Sequence, residues 1–78
     1  MDRLAAIRVF LAIADAGSLS AAGDRLGMPL STVSRHLKAL EEAVNTRLLT
    51  RTTRRLVLTE PGRTYLETCR RVLGDLDM

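Results

Sequence analysis

One cysteine, two prolines, one phenylalanine, one tyrosine and no tryptophan leave this 78-residue chain few ways to hold itself together. Cys69 has no partner for an internal disulfide and stands in no CxxC or Cys/His cluster, so neither a disulfide framework nor a zinc site is expected. With only Phe10 and Tyr65 as aromatics, the core must come from Leu, Ile, Val and Ala, which suits helices. The apolar run in MDRLAAIRVFLAIADAG is broken by charge on both sides, is too short to span a bilayer and has no signal-type cleavage region. A cytoplasmic protein without membrane contact is the simplest reading. Paired carboxylates, a nucleophile beside a general base, a phosphate-binding glycine loop and a metal cluster are all missing. A lone His36 is too little for catalysis, so no enzyme, metal or cofactor is expected. There are no internal repeats and no low-complexity segment.

The chain is one domain at most. At this size a fold buries only about 60% of its unfolded surface, so help from a partner subunit is expected. Hydrophobic residues make up 46%, too many for a disordered segment. The net charge of +3 is unevenly placed. From Ser31 to Arg63 there are seven basic residues (Arg35, Lys38, Arg47, Arg51, Arg54, Arg55, Arg63) against three acidic ones (Glu41, Glu42, Glu60), or +4. The remainder, five basic against six acidic, is −1. A basic segment on a near-neutral body points to a polyanion as partner, although a solvated surface would read the same way.

Four helices and a hairpin are expected. Residues 2–16 carry Leu4, Ile7, Phe10 or Leu11, and Ala14 at helical spacing, widened by Ile13, with Asp2 favouring the helix dipole and Gly17 as the stop. Ser18 and Ser20 are both candidate caps for a second helix at 19–26, whose buried side reads Leu19, Ala22 and Leu26. Gly23 inside that helix implies that another backbone passes close by, as the second helix of a helix-turn-helix does. Gly27 fits a left-handed cap, and Pro29 forbids simple continuation. A third helix follows at about 30–43, with Val33, Leu37 and Leu40 inward. Alternation of Leu56 and Leu58 around Val57 gives a hairpin at about 48–51 and 55–58, with its tip at Thr52 to Arg54. Thr59 caps a fourth helix from about residue 60, in which Leu66, Cys69, Leu73 and Leu76 form a 3-4-3 seam for a helix pair.

Three features point at DNA. The third helix opens with Leu30, Ser31, Thr32, Ser34 and Arg35, which offer an apolar contact, short donors and a guanidinium. Arginine reads guanine O6 and N7 in bidentate fashion, with discrimination of about 1–3 kcal/mol. Lys38 lies on the same off-core side and suits a phosphate. Arg51, Arg54 and Arg55 sit on or beside the hairpin, within reach of a minor groove or flanking phosphates. Ser18 and Ser20, with the amides that start the second helix, make a phosphate seat or serve only as caps.

In order and spacing, residues 14–27 (AxAGSLSAAGDRLG by pattern), TVSRHLKALEE at 32–42, RLL at 47–49 and RTTRRLVLTEPG at 51–62 resemble the N-terminal DNA-binding domain of LysR-type transcriptional regulators. The resemblance covers essentially the whole chain. It implies a mainly α fold: a winged helix-turn-helix of three core helices and a small β-hairpin wing over 1–59, then a linker and dimerisation helix from 60 to 78, cut short here. It also implies an effector-binding domain that this chain does not include, which would take any small-molecule effector. The expected partner is double-stranded promoter or operator DNA, bound by a homodimer, with tetramers open to the longer protein. Positions matching Leu30, Ser31, Ser34 and Arg35 face the major groove in this family, and the one matching Arg54 belongs to the wing. The chain has Pro29-Leu30-Ser31 where the family often has Ser-Gln-Pro or Ser-Gln-Ser, and Gly23 where alanine is frequent. Two other readings share the architecture: a protein-binding winged-helix module, and the DNA-binding domain of a molybdate-responsive regulator.

Overall fold

The computed structural model describes residues 2–51 and 56–76, side chains 75 and 76 excepted. The elements run α1 (Arg3–Ala16), α2 (Leu19–Leu26), α3 (Leu30–Val44), β1 (Leu49–Arg51), β2 (Leu56–Leu58) and α4 (Glu60–Leu76). Each helix start and stop has a local cause. Asp2 precedes α1, and its carboxylate accepts the Leu4 and Ala5 amides at 3.1 and 3.3 Å. Ser18 caps α2: its hydroxyl accepts the Ala21 amide at 3.0 Å. Gly27 then turns left-handed at φ 66°, and the Gly23 carbonyl accepts both the Gly27 and Met28 amides, which closes α2 in about two residues.

The core is apolar throughout. Val9, Phe10, Ile13, Val33, Leu40 and Leu48 are its largest fully enclosed side chains, and no polar residue among those described is buried. Burying each stabilises by roughly 1.5–3 kcal/mol. Helix α1 packs against α2, α3 and α4, which explains a correction to its expected face. Ala6, Val9, Phe10 and Ile13 point inward, Ile7, Leu11 and Ala14 are only half-buried, and Leu4 is exposed. Leu26, expected inside, is also exposed, because the chain turns away directly after it. Leu37 is half-buried beside Val33 and Leu40.

A backbone does pass close to Gly23, but it is not the next helix. A Cβ at Gly23 would stand 2.7 Å from the Met28 carbonyl oxygen, in the turn, and 3.5 Å from the Val33 side chain.

The hairpin pairs antiparallel with Leu49 opposite Leu58, Thr50 opposite Val57 and Arg51 opposite Leu56. Leu56 and Leu58 turn toward the body and Val57 toward solvent, as the alternation required. The expected tip, Thr52 to Arg54, lies outside the described residues, as do Arg55 and the side chain of Leu76.

Thr59 caps α4, its hydroxyl accepting the Gly62 amide at 2.9 Å and its carbonyl the Arg63 amide at 2.9 Å. Leu66, Cys69 and Leu73 are buried within this single chain, facing its own body. The face of α4 left to solvent carries Val72, which is 50% exposed. Phe10 and Tyr65 meet between α1 and α4 with ring centroids 6.0 Å apart. An exposed ion pair, Asp15 with Arg70, links the same two helices and adds little stability.

Candidate nucleic-acid interface

Helix α3 begins without a side-chain cap. Pro29 occupies the cap position at φ −61° and ψ 151°, an extended conformation that its ring favours, and it offers no side-chain acceptor. Its carbonyl accepts the Thr32 and Val33 amides at 3.0 and 3.1 Å. The missing polar cap therefore does not delay the helix. It leaves the first amides, with the positive end of the helix dipole, without a side-chain acceptor at the surface.

Val33 and Leu40 are completely buried, and this fixes the rotation of α3. Leu30, Ser31, Ser34, Arg35 and Lys38 consequently face solvent, with Leu30 51% exposed. Their spacing of three and four places them along one side of the helix. Thr32 and His36 are half-buried at the edge of that side. The far end of α3 is closed by Asn45, which takes the left-handed conformation at φ 52° and donates its amide to the Glu41 and Glu42 carbonyls.

A groove of about 270 Å³ separates α3 from the hairpin. Ser34 and Lys38 line it from the helix, and Arg47 and Arg51 from the hairpin side, so three expected site residues and Arg47 share one concave surface. Arg47 is not among the expected site residues; its place in the basic segment and in the RLL at 47–49 are its sequence signals. Arg51 is exposed at the end of β1, while Arg54 and Arg55 lie outside the described residues. Ser20 is exposed on the first turn of α2, whereas the Ser18 hydroxyl is engaged as the cap. Leu66, Cys69 and Leu73 lie apart from this surface.

In the sequence Glu41 stands out only as a charge. Its carboxylate accepts the backbone amides of Leu48 at 2.7 Å and Leu49 at 3.2 Å, which ties α3 to the first strand of the hairpin. No short-range spacing rule finds a carboxylate bonded seven and eight residues ahead.

Cys69 and Tyr65 line an apolar cleft of about 260 Å³ between α1 and α4, with Leu4, Ile7, Val72 and Leu73. Burial pushes the Cys69 thiol above its usual 9.0. Burial, reinforced by the neighbouring thiol, likewise pushes the Tyr65 phenol above 10.0. Neither group carries charge at neutral pH.

The crystal structure of the BenM_DBD/benA site 1 DNA complex superposes with a TM-score of 0.91 at 28% identity, over 99% of this chain and 85% of that one. The CbnR_DBD–DNA complex gives 0.90 at 34% identity, over 99% and 87%. An HTH-type transcriptional repressor of Pseudomonas aeruginosa (strain UCBPP-PA14) is 43% identical over 77 residues, which are 99% of this chain and 24% of that protein. The HTH-type transcriptional activator AaeR of Escherichia coli (strain K12) is 40% identical over 76 residues, 97% of this chain and 25% of its own length. The chain thus spans about a quarter of these relatives. Residues 4–63 match the family model described as the bacterial regulatory helix-turn-helix protein, lysR family. By fold, by these relatives and by that match over most of its length, the chain belongs to the LysR family of bacterial helix-turn-helix regulatory proteins.

Proposed function

We propose that this chain is the sequence-specific double-stranded-DNA-binding domain of a LysR-type transcription regulator. Helix α3 enters the major groove, and the hairpin acts as a wing on the minor groove or the adjacent backbone. The observation that carries the reading is the solvent-facing line Leu30, Ser31, Ser34, Arg35 and Lys38, which the groove joins to Arg47 and Arg51. Arg35 reads a base edge, with Ser31, Thr32 and Ser34 beside it. Lys38, Arg51 and Ser20 hold phosphates, and Arg54 and Arg55 extend the wing's charge. Residues 1–59 form the DNA reader, and α4 from 60 onward is the pairing helix of a homodimer.

Burial within the chain supports a choice of pairing face. Leu66, Cys69 and Leu73 are occupied inside the chain, so a second copy meets the outward side of α4, at Val72 and the neighbouring Leu4. Transcriptional control, any effector and higher assembly belong to the longer protein.

Selection of bound sequences from a random duplex pool tests the reading, with binding followed by fluorescence anisotropy from 50 to 200 mM salt. An enriched half-site is expected, together with an affinity that falls by about 0.9 log units per log unit of salt for each phosphate contact. An unenriched pool and a flat salt response would sink the proposal and favour a protein-binding module.

A further inference from the structure

We infer that Glu41 is a positioning residue: it sets the wing against the recognition helix by clamping the three-residue joint Arg47–Leu49. Two independent sets of bonds meet at that joint. From α3, one Glu41 carboxylate oxygen accepts the Leu48 and Leu49 amides at 2.7 and 3.2 Å. From the start of α4, Thr59 donates its amide to the Leu48 carbonyl at 3.0 Å and its hydroxyl to the Arg47 carbonyl at 2.6 Å. The recognition helix, the wing and α4 are therefore fastened to the same three residues.

The ladder explains why a carboxylate is needed. The bond from Thr59 to Leu48 makes 48 and 59 a bonded pair. Bonded pairs alternate in an antiparallel ladder, so Leu49 and Leu58 face each other as a non-bonded pair and the Leu49 amide points away from β2. Leu48 and Leu49 are both buried, so amides left there without an acceptor are costly. The same carboxylate lines the groove shared by Lys38, Arg47 and Arg51, where a negative charge opposes phosphate binding. Its acceptor role accounts for a charge of that sign in that place.

The test uses the 78-residue chain labelled for NMR, with Glu41→Ala and Glu41→Gln. Glutamine keeps a carbonyl acceptor of nearly the same reach without the charge. Amide exchange at Leu48 and Leu49 is expected to accelerate about tenfold or more in Glu41→Ala, and far less in Glu41→Gln. Residual dipolar couplings from α3 and the two strands should fit one alignment tensor in the wild type and Glu41→Gln, but not in Glu41→Ala. A single tensor and unchanged exchange in Glu41→Ala overturn the inference. Should that variant not fold, a scalar coupling across the Leu48 amide and the Glu41 carboxylate decides it in the wild-type chain; its absence overturns the inference.

The consequence for DNA rests on the function proposed above and is read separately. Glu41→Gln should bind at least as tightly as wild type. Glu41→Ala should weaken binding by the same factor as Arg51→Ala, and the double variant should be no weaker than either. If Arg51→Ala leaves the salt slope unchanged, it is the wing's contact with DNA that fails, and the dipolar couplings still decide the joint.

Discussion

Gly62 stands so close to Leu48 that a Cβ added to the glycine would lie 2.0 Å from the leucine carbonyl oxygen. The contact is backbone on backbone, at the point where α4 begins and the wing is anchored, and no rotamer can relieve it. Gly62→Ala must therefore displace either the first turn of α4 or the Leu48 peptide. Urea unfolding of Gly62→Ala should show a loss of about 2 kcal/mol or more, in the range of overpacked sites. Gly74 is the control: it is also helical, and a Cβ there meets nothing within 4 Å. Gly74→Ala should gain up to about 1 kcal/mol from helix propensity. Equal effects at both positions would refute the close approach.

The two serines of α2 should separate cleanly. Ser18 accepts the Ala21 amide, so Ser18→Ala is expected to cost about 1 kcal/mol in thermal unfolding. Ser20 is exposed on the same turn and is not the cap, so Ser20→Ala should leave stability nearly unchanged and weaken DNA binding. Unchanged affinity in Ser20→Ala would remove it from the phosphate seat.

These residues also mark what the sequence alone could and could not say. Gly17, Gly27, Pro29 and Thr59 act within a turn of themselves, so their effects were readable locally, and Val33 and Leu40 declared their face by spacing. Gly23 correctly implied a close backbone, yet only the fold shows it to be the Met28 carbonyl. The Glu41 clamp spans a turn and a strand start and leaves no periodic trace. A 3-4-3 stripe reports an apolar face but not its occupant. Leu66, Cys69 and Leu73 are covered by the chain itself, an occupant the stripe does not name.

Arg35 and Arg51 should fail in different ways. Arg35 is exposed midway along the solvent-facing line of α3. Arg35→Ala should lose about 1–3 kcal/mol of discrimination at one base pair. Arg51→Ala should weaken all sequences alike and lower the salt slope by about 1. Competition titrations with single-base variants of the selected site distinguish them, and intact discrimination in Arg35→Ala would reassign the base reader.

Alkaline pH should loosen the contact of α1 with α4. The thiol of Cys69 and the phenol of Tyr65 both ionise above their ordinary values of 9.0 and 10.0, chiefly because burial penalises the charged form. A raised folded-state pKa means that the stability contribution is complete below the unfolded value and is lost as pH rises through the folded one. The Tm should hold up to about pH 9 and then fall. Cys69→Ala should flatten the first part of that fall, and an unaltered profile would show that the thiol is not involved. Iodoacetamide should modify native Cys69 slowly and the urea-unfolded chain fast, since the thiolate is the reactive form.

Adjacent residues on α4 give the sharpest test of pairing. Leu73 is buried within the chain, whereas Val72 is 50% exposed beside the cleft that also includes the 43% exposed Leu4. Leu73→Glu places a charge inside the fold and should unfold it outright or lower the Tm steeply. Val72→Glu adds the same charge to the outside and should leave the monomer's stability nearly intact. If two copies pair through the outward side of α4, Val72→Glu should shift sedimentation equilibrium toward monomer and weaken binding to a two-half-site duplex, while a single half-site is bound as before. An unchanged association constant in Val72→Glu would place the pairing surface elsewhere, because a like charge brought in by each copy cannot be accommodated in an apolar contact between them.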